Sequence, residues 1–391
     1  MTRLLTFALF LSIMITLTGS AHYYVWSRLV RDPGLPVGVT RALSYALIFL
    51  FVAIPGSLFL RRSHLANALE GLVWVAMTWL GLLLFLTLAL GLADLARGVW
   101  QVSRAFADAA PLDPQRRQAV ARLVAGAAAF VGGSLGLLAL RSGLARVGLQ
   151  RVEVTLARLP AALSGTRIVQ LSDVHVGPTI HRKFIETIVG QCNALNPDLV
   201  VITGDLVDGS VEELREHTAP LAGLRAKYGV FFVTGNHEYY SGAEEWCTEL
   251  ERLGLRVLRN ERVSIGTDAA SFDLAGVDDH SARGHAEGHG EDLPKALAGR
   301  DPARELVLLA HQPRTILEAQ DHGVGLQLSG HTHGGQLWPW TYLVRLQQPV
   351  VAGLARFGKS LVYVSRGTGY WGPPMRLGAP SEITELTLRS V

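Results

Sequence analysis

Four runs without a formal charge constrain this chain more than any other feature. They are Leu4–Ser27, Ala42–Leu60, Gly71–Ala93 and Leu123–Leu140, of 24, 19, 23 and 18 residues. A helix needs about 20 apolar residues to cross ~30 Å of hydrocarbon. All four are long enough, although the last is rich in Gly and Ala. Pro55 and Gly56 interrupt the second run, which a bilayer tolerates when neighbouring helices satisfy the freed backbone groups. Tyr23, Tyr24 and Trp26 close the first run as an interfacial aromatic belt would. Its length, and the three runs behind it, argue against a cleaved signal peptide. The expectation is an N-terminal four-helix transmembrane region over residues 1–145, with spans near 4–27, 42–60, 71–93 and 123–140. Gly126, Gly132, Gly133 and Gly136 either pack helix on helix or only reflect composition. No Asp or Glu lies inside a run and no Lys precedes Lys183, so a proton or ion path has nothing to work with. The helices read as an anchor. Arginines flank them in near-equal number on both sides, which leaves the side of the remaining chain open.

The rest of the chain has a different chemistry. Residues 1–150 carry 13 Arg against five acids, a net +8, whereas residues 151–391 carry 23 Lys or Arg against 28 acids, a net −5. Eleven of the 13 His lie in that second part. Two modules with different solvents are expected, the second covering residues 150–391. A charged fraction of 18% with a mean hydropathy of +0.26 excludes intrinsic disorder. The basic residues flank apolar runs and form no patch with interleaved aromatics, so no nucleic-acid partner is expected. Cys192 and Cys247 make no disulfide framework and no thiolate site, and read as buried small hydrophobes.

From residue 151 onward, short β-branched runs alternate with amphipathic ones. Arg167–Leu171, Leu199–Thr203, Val230–Thr234, Phe272–Val277, Glu305–Ala310, Gly325–Ser329 and Leu361–Ser365 read as strands. His181–Leu195, Val211–Ala226, Glu244–Leu253 and Thr315–Gln320 read as helices. That alternation predicts an α/β domain with its ligands at strand C-terminal ends.

Five of those strands run into Asp, Asn or His. The clusters are Asp173-Val174-His175, Gly204-Asp205-Leu206-Val207-Asp208, Gly235-Asn236-His237-Glu238, His311, and Gly330-His331-Thr332-His333-Gly334-Gly335. Carboxylate, imidazole and amide oxygen are the ligands of hard-to-borderline divalent metals. In Asp-x-His and His-x-His, a spacing of two places both side chains on one face of an extended segment. Asp173, His175, Asp205, Asn236, His311, His331 and His333 are too many for one tetrahedral site. They suit two divalent ions about 3.5–4 Å apart that share a carboxylate. Such a pair lowers the pKa of a bridging water, and a histidine paired with a carboxylate can supply the leaving-group proton. Mn, Fe and Zn all suit these ligands.

This series of blocks resembles the calcineurin-like metallophosphoesterase superfamily, in the family's order and across roughly residues 150–391. The closing stretch Ser365–Pro374, followed by Arg376-Leu377-Gly378, resembles the YkuE/YaeI-type branch of bacterial membrane-associated phosphodiesterases. The resemblance implies a pair of mixed β-sheets flanked by helices. It implies that Asp173, His175 and His333 hold one metal, Asn236, His311 and His331 the other, and that Asp205 bridges. It implies a bridging hydroxide as nucleophile, His237 as general acid, and Asp208 orienting and charging His237. A multi-pass enzyme of a bacterial cell membrane follows, acting on a phosphoester, with a lipid-linked or envelope diester preferred. The alternative is a membrane scaffold or transport-associated protein whose globular half binds metal without turnover.

Other residues carry open expectations. Asp278-Asp279-His280, with His285 and His289, forms either a substrate-facing lid, an extra metal site or a solvated loop. Arg366 and Arg376 either clamp a phosphate or belong to the scaffold. Trp338, Trp340, Tyr370 and Trp371 stack on substrate, rest at the lipid interface or pack in the core.

Overall fold

The computed structural model describes residues 2–60, 69–107, 113–285 and 288–391. They form two compact units, one of residues 1–142 with 372–375, the other of residues 143–371 with 376–391.

In the first unit the apolar runs fold as α1 (Thr2–Trp26), α2 (Val37–Leu60), α3 (Glu70–Phe106) and α4 (Pro114–Gly143). Among the described residues, three helices are long and apolar enough to cross a membrane: Val37–Ser57 within α2, then α3 and α4. Pro55 stays inside α2 without ending it. Val25, Leu83, Leu86, Leu90 and Ala128 form a small core between α1, α3 and α4. The glycines of α4 divide in two. A Cβ on Gly132 would lie 3.1 Å from the Leu86 Cα, and one on Gly136 would lie 2.9 Å from Leu82 Cδ1, whereas Gly126 and Gly133 face open space. Gly132 and Gly136, one helical turn apart, therefore let α4 approach the α3 backbone closely, which is the small-residue packing of membrane helices. Several polar side chains in this unit are paired across helices. His22 accepts the Trp79 indole N–H at 2.8 Å, and its other ring nitrogen lies 2.7 Å from the Thr18 carbonyl. Asp94 accepts from Tyr24 at 2.7 Å and from Arg28 at 2.9 Å.

The second unit is a sandwich of two six-stranded mixed sheets. The first holds β1 (Gly148–Leu156), β12 (Glu382–Ser390), β2 (Arg167–Leu171), β3 (Leu199–Thr203), β4 (Val230–Val233) and β5 (Arg256–Val257), in that order. The second holds β10 (Gly353–Phe357), β11 (Ser360–Val364), β9 (Leu326–Ser329), β8 (Leu306–Leu309), β7 (Ala270–Gly276) and β6 (Glu261–Thr267). Strands β2 to β5 run parallel, as do β7, β8, β9 and β11, while β12 is antiparallel to β2. The central strands are buried on both faces, which is why they read as unbroken apolar runs. Alternate residues divide between two cores. Leu199 and Val201 join Leu274, Leu309 and Leu328 between the sheets, while Val200 and Ile202 pack outward. Their outward partners lie on α5 (Arg182–Ala194), α6 (Val211–Thr218) and α8 (Ala243–Arg252), with Cys192 and Cys247 buried as free thiols.

Several expectations shift. The helix predicted to run from Val211 to Ala226 stops at Thr218 and tightens into a 3-10 turn at Ala219–Gly223. Pro220 cannot supply the N–H that a continued helix needs. Strands β1, β6, β10 and β12 were not foreseen. β1, β6 and β12 carry polar or charged residues at alternate positions, β10 holds Arg356 alone, and β1 and β12 find each other across more than 200 residues of sequence.

Candidate metal centre

Every strand that was read as ending in a ligand ends in one loop cluster. Asp173 and His175 follow β2, Asp205 and Asp208 follow β3, and Asn236 and His237 open α7 (Asn236–Ser241) after β4. His311 follows β8, and His331 and His333 follow β9. The first three strands belong to one sheet and the last two to the other, so the cluster straddles the seam between the sheets.

The backbone here departs from the extended geometry expected of Asp-x-His and His-x-His. Among the described residues, eight non-glycine residues have positive φ, and five of them are Asp173, His175, Asp205, His331 and His333, at +51° to +70°. Left-handed residues on either side of Val174 and Thr332, not a continuing strand, turn each ligand pair inward. Asp and His tolerate this region better than most residues, and such strain gathers at functional sites. Gly204 has φ +84°, and a Cβ there would lie 2.6 Å from His311 Nδ1 and from the Gly235 amide nitrogen. Only glycine lets these loops close on one another.

The donor atoms gather in overlapping groups. Asp173, His175 and His333 place ligand atoms within 4.8 Å of one another, as do Asp205, His311 and His331, and as do His175, Asp208 and His237. His175 Nε2 lies 3.0 Å from His333 Nε2, and His333 Nε2 lies 3.6 Å from Asp173 Oδ1. Asp205 Oδ2 is 3.1 Å from His311 Nε2 and 3.9 Å from His175 Nε2. Asn236 Oδ1 lies 3.0 Å from His331 Nδ1, which is 3.3 Å from His311 Nε2.

These residues fit a cation pair on three counts. Asp173 Oδ2 is buried and has no hydrogen-bond partner among the described residues. Opposed ring nitrogens at 3.0 and 3.3 Å bring lone pairs together that a cation would reconcile. The outer ring nitrogens are also spoken for. His311 Nδ1 meets the Thr203 carbonyl at 2.7 Å and His175 Nδ1 meets Asp208 Oδ1 at 3.1 Å, which leaves both Nε2 lone pairs facing inward. Burial and the neighbouring His311 hold His331 down at about 4, and burial beside His175 holds His333 well below its usual value. Both rings are thus neutral donors near neutral pH. Burial pushes the Asp205 carboxyl up, but His311 and His237 facing it keep it well below the ordinary range.

His237 sits beside this cluster. Its Nδ1 is 2.5 Å from Asp208 Oδ1, its Nε2 is 4.0 Å from Asp205 Oδ2, and its main-chain N–H donates to Asp205 Oδ1 at 2.9 Å. Burial lowers this imidazole, but the Asp205 and Asp208 carboxylates outweigh it and carry it up to about 9. A single oxygen of Asp208 therefore serves both His237 and His175.

Glu238 closes the Gly-Asn-His-Glu block and is not among the residues that the sequence marks for the site. It is fully buried, and its carboxylate accepts four main-chain N–H groups: Gly235 at 2.6 Å, Asp205 at 3.0 Å, Leu206 at 2.8 Å and Val207 at 3.3 Å. It ties the loop after β3 to the loop after β4. Its position three residues beyond Gly235, at the start of a helix, is the spacing of a capping glutamate and was the available signal.

Other expectations are corrected. Arg376 is buried and donates to the carbonyls of His333, Arg366, Ala379 and Gly369 and to His333 Nδ1. Arg366 is paired with Glu382 at 2.7 Å. Both arginines serve the scaffold. The segment after β7 is buried at Asp278 and Asp279 and exposed at Ser281, Arg283, Gly284 and Gly288, and Ala286 and Glu287 within it lie outside the described residues. Asp278 is buried and forked by Arg259 at 2.8 Å, and Asp279 is buried against Gln312 at 3.1 Å. His280 pairs with Glu291 at 2.9 Å and His289 with Glu244 at 2.8 Å, so neither joins a metal cluster. Tyr370 is buried, whereas Trp338, Trp340 and Trp371 are exposed, and Trp371 stacks edge-on at 5.6 Å from the His237 ring.

Comparison with known proteins agrees with this geometry. A family model described as calcineurin-like phosphoesterase matches residues 166–335. A protein of Danio rerio, named transmembrane protein with metallophosphoesterase domain, is 44% identical over 61% of this chain and 56% of its own length. An uncharacterized metallophosphoesterase of Campylobacter jejuni is 32% identical over 98% of this chain and 99% of its own. The uncharacterized metallophosphoesterase YkuE of Bacillus subtilis is 31% identical over 59% of this chain and 82% of its own. The match thus spans little more than half of the Danio rerio protein.

Proposed function

The chain belongs to the calcineurin-like metallophosphoesterase family, and from that membership we propose that it is a membrane-anchored, metal-dependent phosphoesterase. Residues 1–145 form the anchor, α1 making a fourth span beside the three apolar helices, in a bacterial cell membrane. Residues 150–391 form the catalytic domain. Asp173, His175 and His333 hold one divalent ion and Asn236, His311 and His331 the other, with Asp205 between them. Mn, Fe and Zn all suit the donor set. When bound, two such ions polarise a phosphoryl oxygen and lower the pKa of water at the site.

The position of Asp205 Oδ2 carries this reading. One buried oxygen lies 3.1 Å from His311 Nε2 and 3.9 Å from His175 Nε2, and so faces both donor groups at once. His237 is the general acid. Asp208 fixes its Nδ1–H and leaves Nε2–H aimed toward the cluster, where a leaving oxygen takes the proton. Asp208 orients this ring and, through the same oxygen, orients His175. A scaffold that bound metal without turnover would have no use for the His237–Asp208 pair.

A phosphodiester on a lipid-linked or envelope molecule is the preferred substrate, since the anchor holds the site beside a bilayer. Purified full-length protein should hydrolyse bis-p-nitrophenyl phosphate with added Mn²⁺ and lose that activity to a chelator. Thin-layer assays against phospholipid, undecaprenyl-linked and nucleotide substrates then test the substrate class. Equal rates on nucleotides with none on lipids would reject the lipid reading.

A further inference from the structure

Residues 322–381 contain no Asp or Glu in a catalytic half that is otherwise acidic, and they carry Arg345, Arg356, Lys359, Arg366 and Arg376. The last two are consumed by scaffold contacts, as described above. The first three are exposed. The same stretch holds the exposed large apolar side chains Trp338, Trp340, Tyr342, Leu343 and Leu346, the last 82% exposed, with Trp371 53% exposed.

Arg345 and these apolar side chains form a surface joined to the metal centre, whereas Arg356 and Lys359 stand at the opposite end of the second sheet, beside the β10–β11 turn. The segment leaves the candidate ligand His333 directly, and Thr341 donates from its hydroxyl to the Gly334 carbonyl at 3.1 Å. Gln336 exchanges two side-chain hydrogen bonds with the Trp371 main chain, at 2.8 and 3.0 Å. Trp338 N–H donates to the Leu377 carbonyl at 2.9 Å. Trp371 in turn lies 5.6 Å from His237, ring to ring. Arg345 stands over the Tyr342 ring at 5.8 Å, so a cation accompanies the aromatic edge.

We propose that the 338–346 segment and Trp371 form a membrane-docking face of the catalytic domain, which rests on the surface of an anionic bilayer beside the metal centre. Trp and Tyr favour the headgroup region, and the exposed Arg345 among them favours anionic lipid. The chain supplies the bilayer itself. Only residues 144–147 separate the end of α4 at Gly143 from the start of β1 at Gly148. That linker reaches about 18 Å at full extension. It is no longer than the ~18 Å radius of gyration of a domain of this size, so the start of the domain stays within about that radius of the end of α4. The acid-free aromatic face is the one whose chemistry matches a bilayer surface.

The test is spin-label accessibility on full-length protein in nanodiscs of phosphatidylglycerol and phosphatidylcholine. Leu346→Cys and Tyr342→Cys carry the label, and Glu186→Cys on the exposed side of α5 is the reference. The native Cys192 and Cys247 are buried and remain unlabelled. Labels at 346 and 342 are expected to gain oxygen collisions and lose collisions with a water-soluble nickel chelate, while the label at 186 keeps the chelate collisions. Chelate access at 346 and 342 equal to that at 186 overturns the proposal. So does protection from oxygen and chelate together, which would mean a protein partner or a second copy covers the face. The readout is depth, not turnover, so its failure leaves the hydrolase reading untouched.

Discussion

Substituting Glu238→Gln changes one atom and should break the loop cluster. The two carboxylate oxygens divide the work: Oε2 accepts from Gly235 and Asp205, and Oε1 from Leu206 and Val207. Whichever way a glutamine amide turns, its NH₂ faces one of these pairs, and two buried N–H groups lose their acceptor. Each orphaned donor costs about 1–3 kcal/mol, so the variant should lose about 2–6 kcal/mol. The unit involved has about 245 residues. At roughly 2–4 °C per kcal/mol for a domain near that size, a central loss of about 4 kcal/mol lowers its melting point by roughly 8–16 °C. Differential scanning calorimetry of the full chain in detergent measures this, with and without chelator. The loss should persist in chelated protein, because these hydrogen bonds need no ion. Glu238→Leu, which removes all four acceptor contacts, should fall further. An unchanged melting point in Glu238→Gln, with a full complement of ions, would refute the bracing role.

Three further outcomes follow from the site and the helices. His237→Asn should keep its metal by elemental analysis while kcat falls about 10²–10⁴-fold, the usual worth of a general acid; undiminished turnover of a substrate with a poor leaving group would remove His237 from that role. Asp205→Ala should lose both ions, and retention of both would show that no shared carboxylate is needed. Gly132→Val should destabilise the helical unit by about 1–3 kcal/mol through overpacking against Leu86. Gly126→Val, which faces open space, is the control in the same detergent melt.

Much of the fold was legible because buried parallel strands announce themselves as apolar runs, and the candidate site because its Asp, Asn and His residues sit one step beyond those runs. What escaped depends on partners distant in sequence. Strands β1 and β12 pair over their whole length, yet nothing local in Gly148–Leu156 names Glu382–Ser390 as its neighbour. Glu238 looked like the fourth letter of a block, because the amides that need it at 205–207 belong to another loop. Arg376 stayed open in the sequence between phosphate clamp and scaffold, because its five acceptors come from residues 333, 366, 369 and 379. The Asp-x-His spacing was informative, but its backbone was not. A period of two suggested extension, and the chain instead turns left-handed at both ends of each pair.

The placement of donors on both sheets has a consequence during synthesis. Asp173, His175, Asp205 and Asn236 emerge from the ribosome well before His311, His331 and His333. A nascent chain that has reached Asn236 carries four of these seven candidate donors and cannot yet bring either proposed group together. On the proposed assignment, tight capture of the ions becomes available only once residue 333 has been added and the late sheet has docked against the early one, so loading with metal would mark the moment at which the two halves of the sandwich have met.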